Sequence, residues 1–81
     1  MEADEILRTI NEIFIKVLGN KNIVLKRETV ARDVKEWDSL NHYQLIVAVE
    51  KHFNIKFTTL EIISFKNVGD FCQKIHQKLF G

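Results

Sequence analysis

The chain contains no proline, one cysteine and three glycines in 81 residues, and neither sign of charge prevails. A solitary Cys72 cannot form an internal disulfide. Gly19, Gly69 and Gly81 are too scattered to build a glycine-rich phosphate cradle, so the sequence gives no support to nucleotide binding. No apolar run approaches the roughly 20 residues needed to cross a bilayer, and the chain is expected to work without a membrane. The formal net charge is +1. Lys26, Arg27, Arg32 and Lys35 alternate with Glu28, Asp33 and Glu36, which describes a solvated loop rather than the basic stripe that marks nucleic-acid binding. His42, His52, His76 and Cys72 lack the paired spacings of zinc sites, and the acidic residues form no calcium loop, so no metal is expected. Glu2, Asp4 and Glu5 stand where a secretory leader would be basic, which makes the cytoplasm the expected compartment.

What the sequence does contain is an ordinary soluble composition, 46% apolar and 28% charged. A chain this short makes one domain, taken here as residues 1–81. It has a packed core but no room for a deep catalytic cleft.

Ile6, Leu7, Ile10, Ile13, Phe14, Val17 and Leu18 recur at helical spacing, and Gly19-Asn20 supplies a stop, which predicts a first helix from about Ala3 to Leu18. Periodicity then lapses from Asn20 to Asp38, a long connection that is expected to carry short ordered pieces. Ile23-Val24-Leu25 and Ile55-Lys56-Phe57 are the only strand-like runs, and they are expected to plug the ends of a helical bundle rather than pair. A second helix is predicted from Ser39 to about Phe53, broken by Asn54. Thr58 and Glu61 fit a capping box that opens a short third helix, roughly Thr59 to Ser64. Asn67 can cap a fourth helix, whose stripe of Val68, Phe71, Cys72, Ile75 and Leu79 makes Cys72 a core residue. The prediction is an all-α four-helix bundle with three long helices, a short third one, and a long loop between the first two.

Two features of the second helix bear on function. Projected at about 100° per residue, Leu45, Ile46, Val49 and Phe53 form a core stripe, while Leu40, Tyr43 and Val47 gather on another side. One short helix cannot bury both faces equally, and with Gln44 and Lys51 flanking the second stripe an exposed docking patch is expected. The other feature is Trp37-Asp38-Ser39-Leu40, which sets a serine where loop becomes helix. An exposed serine at the positive end of a helix dipole suits a phosphate ester, although serine and aspartate are also the residues that cap helices. Ser39 has no evident base or third orienting group, which argues against a hydrolase. His42, three residues on, is read as a solvated or dipole-compensating group.

Asp38-Ser39-Leu40, at this depth in an eighty-residue four-helix pattern, resembles the attachment motif of the acyl carrier protein family, which includes the peptidyl carriers. The likeness runs without gaps from Trp37 to about Phe71. Leu45, Ala48, Glu50 and Phe53 fall where the family places its helix II residues, and Phe57 and Val68 continue the register. The resemblance implies that a phosphopantetheinyl transferase attaches 4′-phosphopantetheine from coenzyme A to Ser39, and that acyl or aminoacyl groups ride on its thiol as thioesters. Asp38 would help hold the transferase's magnesium ion, and Leu40 would seat in an apolar pocket of that enzyme. Trp37 is expected to pin the loop.

Leu40, Tyr43, Val47 and Glu50 are the expected docking residues. A groove sheltering cargo would draw on Ile46, Ile62, Ile63 and Val68, residues that plain core packing would equally require. Fatty-acid carriers are strongly acidic along helix II, whereas here Asn41, Gln44 and Lys51 stand in those places and Glu50 alone is acidic. Weak electrostatic steering follows, with a specialised pathway as the expectation. Its enzymes would include a loading enzyme and a downstream synthase or acyltransferase. The chain itself would be a monomeric shuttle rather than an enzyme. The competing reading is a helical interaction module that keeps this fold without a prosthetic arm.

Overall fold

Four α-helices follow one another in the computed structural model, which describes residues 3–81: α1 (Ala3–Leu18), α2 (Ser39–Phe53), α3 (Thr59–Ser64) and α4 (Val68–Phe80). Glu2, used above in reading the N-terminus, lies outside the described residues. This is the all-α bundle that the periodicities predict. Ile6, Ile10 and Phe14 line the buried face of α1, which packs against both α2 and α4. Leu45, Ile46 and Val49 complete the core from α2, and Val68, Phe71, Cys72 and Ile75 from α4. Each such aliphatic or aromatic side chain contributes about 1.5–3 kcal/mol when fully withdrawn from water.

The helix ends follow their local chemistry. Gly19 (φ 70°) and Asn54 (φ 56°) adopt the left-handed conformation just past the ends of α1 and α2, where glycine and asparagine carry the smallest steric penalty. The capping box is formed in both directions: Thr58 Oγ1 accepts from the Glu61 N–H at 3.2 Å, and Glu61 Oε1 accepts from the Thr58 N–H at 2.8 Å. Asn67 Oδ1 accepts from the Asp70 N–H at 2.8 Å to open α4.

No strand forms among the described residues, although residues 23–25 carry a strand's alternation: Ile23 and Leu25 are buried and Val24 is exposed. Their peptide groups are met by one side chain of α1. Asn11 Nδ2 donates to the Ile23 carbonyl at 3.1 Å, and Asn11 Oδ1 accepts from the Leu25 N–H. The other strand-like run is handled in the same way, because Glu50 Oε2 accepts from the Phe57 N–H at 2.8 Å. The long loop also carries the short ordered piece expected of it, a 3₁₀ turn at Ala31–Asp33. The loop then straps α4: the Val68 and Gly69 N–H groups donate to the carbonyls of Thr29 and Arg27 at 2.9 and 2.7 Å, satisfying donors that a helix start leaves free. A Cβ on Gly69 would lie 3.0 Å from the Arg27 carbonyl oxygen, so only glycine fits this approach without a shift.

No residue of α3 is fully buried; Ile62 packs half-buried against the core, and polar ties add to that hold. Glu61 bonds to Lys78 at 3.0 Å and reaches Lys74 at 3.7 Å, both on α4. The Thr58 N–H and then Lys78 hold its carboxyl below the ordinary value of 4.5. A depressed carboxylate contributes stability that is present above its ordinary range and is lost as pH falls through its folded value. In urea titrations Glu61→Gln is expected to unfold at a lower midpoint than the native chain at pH 7, and the gap should close as pH falls below 4.5. A gap independent of pH would assign the effect to packing.

Candidate functional site

The first turn of α2 divides its duties between two adjacent residues. Asp38 is the N-cap, with extended backbone and with Oδ1 accepting from the Asn41 N–H at 2.8 Å. Ser39 is the first helical residue, exposed, and its hydroxyl takes no part in the cap. The two readings left open by the sequence therefore separate: aspartate caps, and the serine oxygen faces solvent at the positive end of the α2 dipole. Asn41 steadies the turn from the other side by donating from Nδ2 to the Glu36 carbonyl at 2.8 Å.

Trp37 approaches from the loop. Its indole is buried, packs edge-on against Phe14 with centroids 4.9 Å apart, and donates from Nε1 to His42 Nδ1 at 2.9 Å. An indole nitrogen can only donate, so Nδ1 of the histidine is the acceptor and the ring proton sits on Nε2. That nitrogen donates to the Ile62 carbonyl of α3 at 3.1 Å. His42 is thus a half-buried bridge between the loop and α3, not the solvated or dipole-compensating group expected from its position. The sequence could show that His42 lies one turn from Ser39. It held no sign of a partner twenty residues further on.

An open groove of about 630 Å³ begins at Ser39 and runs between α2 and α3. Its walls include Trp37, His42, Tyr43, Ile62, Ile63 and Phe65. Of the four residues expected to line a cargo groove, Ile62 and Ile63 do so. Ile46 and Val68 do not: they are 1% and 0% exposed and belong to the core. Tyr43 was missed as a groove residue because the helical projection assigned it to the docking stripe, and Phe65 because it lies just past the end of α3, where no helical spacing places it.

The second apolar stripe of α2 is open to solvent, with Leu40 70%, Tyr43 61% and Val47 40% exposed. Leu60 and Ile63 extend the exposed apolar surface onto α3, an extension that the sequence reading did not include. Glu50 departs from the rest of the expected docking set, being half-buried and bonded to the Phe57 N–H. Cys72 lies in the core, where burial pushes its thiol up to about 11. No cluster of histidine, cysteine and carboxylates capable of holding a metal occurs among the described residues. Nor, among those residues, is any helix long and apolar enough to cross a membrane.

A family model for the phosphopantetheine attachment site matches residues 8–75, and the start of α2 falls within that span. This chain belongs to the acyl carrier protein family. It is 30% identical over 81 residues to an acyl carrier protein homolog of Mycoplasma genitalium, covering 98% of this chain and 94% of the relative. A solution structure of a holo acyl carrier protein from Geobacter metallireducens superposes with a TM-score of 0.85 at 45% identity, covering 90% of this chain and 84% of that one. Members of the family are carriers rather than enzymes, and the cofactor of its attachment domain is covalent 4′-phosphopantetheine. The geometry described above fits such a group, with an exposed primary hydroxyl at a helix start and an apolar groove opening beside it.

Asp38→Ala removes the cap and is expected to cost about 1 kcal/mol. That corresponds to a fall in Tm of roughly 4–8 °C for a domain of this size, measured by thermal denaturation. Asp38→Asn keeps an acceptor oxygen and should unfold close to the native temperature. Cys72 should resist iodoacetamide at neutral pH in the folded chain and react once the chain is denatured, as followed by intact mass.

Proposed function

We propose that residues 1–81 form one discrete carrier domain that is modified on Ser39 and presents acyl or aminoacyl cargo to partner enzymes. The observation that carries this reading is the freedom of the Ser39 hydroxyl, which is exposed at the first residue of α2 while the neighbouring Asp38 does the capping. In the modification, the Ser39 oxygen attacks the pantetheine-side phosphorus of coenzyme A. A new O–P bond forms, the phosphoanhydride breaks, adenosine 3′,5′-bisphosphate leaves, and the serine proton passes to a base on the transferase. The carrier needs no base of its own, in keeping with a site where the nearest histidine is committed to Trp37 and Ile62. Once attached, the group would supply a terminal thiol on a flexible arm, and Ser39 would hold its phosphodiester at the positive end of the α2 dipole.

Asp38 serves the transferase through its carboxylate as well as the fold through its cap, and Leu40 inserts into an apolar pocket of that enzyme. Leu40, Tyr43 and Val47 form the docking patch for the loading enzyme and for a downstream synthase or acyltransferase, with Glu50 at its margin. The family's carrier role brings it into contact with modifying and synthase enzymes. Asn41, Gln44 and Lys51 along α2 support contacts made through shape and apolar burial rather than through long-range charge, and so a specialised pathway served by a cytoplasmic monomer.

Incubating the purified chain with coenzyme A, Mg²⁺ and a broad-specificity phosphopantetheinyl transferase tests this by intact mass. The native chain should gain one phosphopantetheine, and Ser39→Ala none. A native chain whose mass does not change, under conditions that modify a control carrier, would leave an interaction module without an arm as the reading.

A further inference from the structure

Ser39 lies inside two closures. The inner one is the cap, in which the Asp38 carboxylate accepts from the Asn41 N–H at 2.8 Å. The outer one is made of side chains: Trp37, two residues before the serine, donates from Nε1 at 2.9 Å to Nδ1 of His42, three residues after it. An indole nitrogen can only donate, so this link exists while Nδ1 keeps its lone pair. A proton on Nδ1 would set two N–H donors against each other across 2.9 Å, and one would have to withdraw. The other ring nitrogen is indifferent to that change, because Nε2 already carries the proton with which it bonds the Ile62 carbonyl at 3.1 Å. The side that gives way is therefore the loop side, where Trp37 leads into Asp38 and Ser39.

We propose that neutral His42 is a positioning residue for the modification of Ser39: it closes the Trp37 link around the serine, holds the hydroxyl in one presentation, and leaves the chain a poorer transferase substrate when the imidazole is protonated. The inference rests on the carrier reading above. His42 acts through Trp37 and does not touch the reacting atoms. Histidine is the side chain whose charge changes between about pH 5 and 8. Asp38 from the loop, Tyr43 from α2 and Lys66 from the segment after α3 line the same groove as the imidazole, and α1 meets the bridge through the uncharged Phe14. Glu61 of α3 is turned to Lys74 and Lys78 of α4, and with its carboxyl held below 4.5 it keeps its charge across that window, so α3 stays tied to α4 throughout. Leu40 and Val47 of the docking patch take no part in the link, so the loss should fall on kcat rather than on KM.

Two amides separate the roles of the two nitrogens. In His42→Asn the amide oxygen stands near the place of Nδ1 and accepts from the indole without titrating, whereas in His42→Gln the amide nitrogen stands near the place of Nε2, keeps the Ile62 bond and leaves the indole without a partner. Each chain is modified by the same transferase with coenzyme A and Mg²⁺ across the pH range, followed by intact mass, and dividing the native rate by that of His42→Asn cancels the transferase's own titration. This ratio of kcat values should fall roughly 2- to 10-fold from about pH 8 to pH 5, which is the worth of one neutral hydrogen bond. His42→Gln should have a low kcat at every pH, and His42→Asn should recover most of the loss, with KM alike in all three. Trp37 is the only tryptophan, so its indole N–H signal reports on the link alone: it should exchange with solvent faster in acid in the native chain and at a steady rate in His42→Asn. Where either variant fails to fold, Trp37→Phe removes the donor while keeping a ring against Phe14, and the native rate should fall to that of Trp37→Phe in acid. A ratio that stays level across the pH range overturns the proposal. So does a His42→Gln chain modified as fast as the native one. Failure of the carrier reading looks different, because then no chain gains mass at any pH while a control carrier does, and both readings fall together.

Discussion

The burial of one indole sets the position of everything around the α2 start. Trp37 is the last ordered anchor of a long irregular loop, and its ring lies between the core face of α1 and the first turn of α2. Packing against Phe14 fixes where the loop ends, and the N–H at the ring's edge fixes the rotamer and tautomer of His42. A buried tryptophan needs an acceptor for that N–H, and a mid-sized polar side chain one turn into the helix supplies it. The second nitrogen of the imidazole then carries the constraint across to α3. The exposed serine two residues after Trp37 therefore stands on a rigid platform, although it begins at the end of a loop.

The same economy appears wherever the irregular segments meet the helices. Backbone groups that would pair with a neighbouring strand in a sheet protein are met one at a time by side chains: Asn11 serves Ile23 and Leu25, Glu50 serves Phe57, and Asn41 serves Glu36. No buried side-chain nitrogen or oxygen among the described residues is left without a partner. In a domain too small for a large core, each unsatisfied group would erase a sizeable part of a narrow margin of stability. The polar side chains that the helices turn toward the irregular segments are thus part of what lets a carrier of this size fold.

The helices were legible because their signals are local. Stripes at 3.6-residue spacing, the Thr58–Glu61 box, and the stops at Gly19 and Asn54 all lie within a turn or two of what they determine, and the observed boundaries coincide with the expected ones. The exposure of Leu40, Tyr43 and Val47 was legible for the same reason, since two apolar faces on one helix compete for a single core. The site was legible only in part. Which of two adjacent capping residues would cap depended on a backbone angle at Asp38, and the groove's composition depended on how α3 is set against α2. Ile46 and Val68 stood both in the core stripes and in the candidate groove, because an aliphatic side chain in sequence does not reveal which neighbour will cover it. His42 was misread because the partners that determine its role come from a loop and a helix with no local link between them.

The double bond pattern of Asn11 has a bearing on how chains of this kind vary. One amide sets the register of residues 23–25 against α1, so the turn from Gly19 to Asn22, tied through Asn20 to Glu36 and to the Asn22 N–H, closes a loop whose far end is already pinned. Lengthening such a closure costs little, because the entropic penalty grows only with the logarithm of loop size. An added residue between Ile23 and Leu25 would instead move one of the two peptide groups out of the amide's reach and turn a core side chain toward water. Length variation among descendants of this chain should accordingly collect on the near side of Ile23, and the three residues held by Asn11 should keep their count.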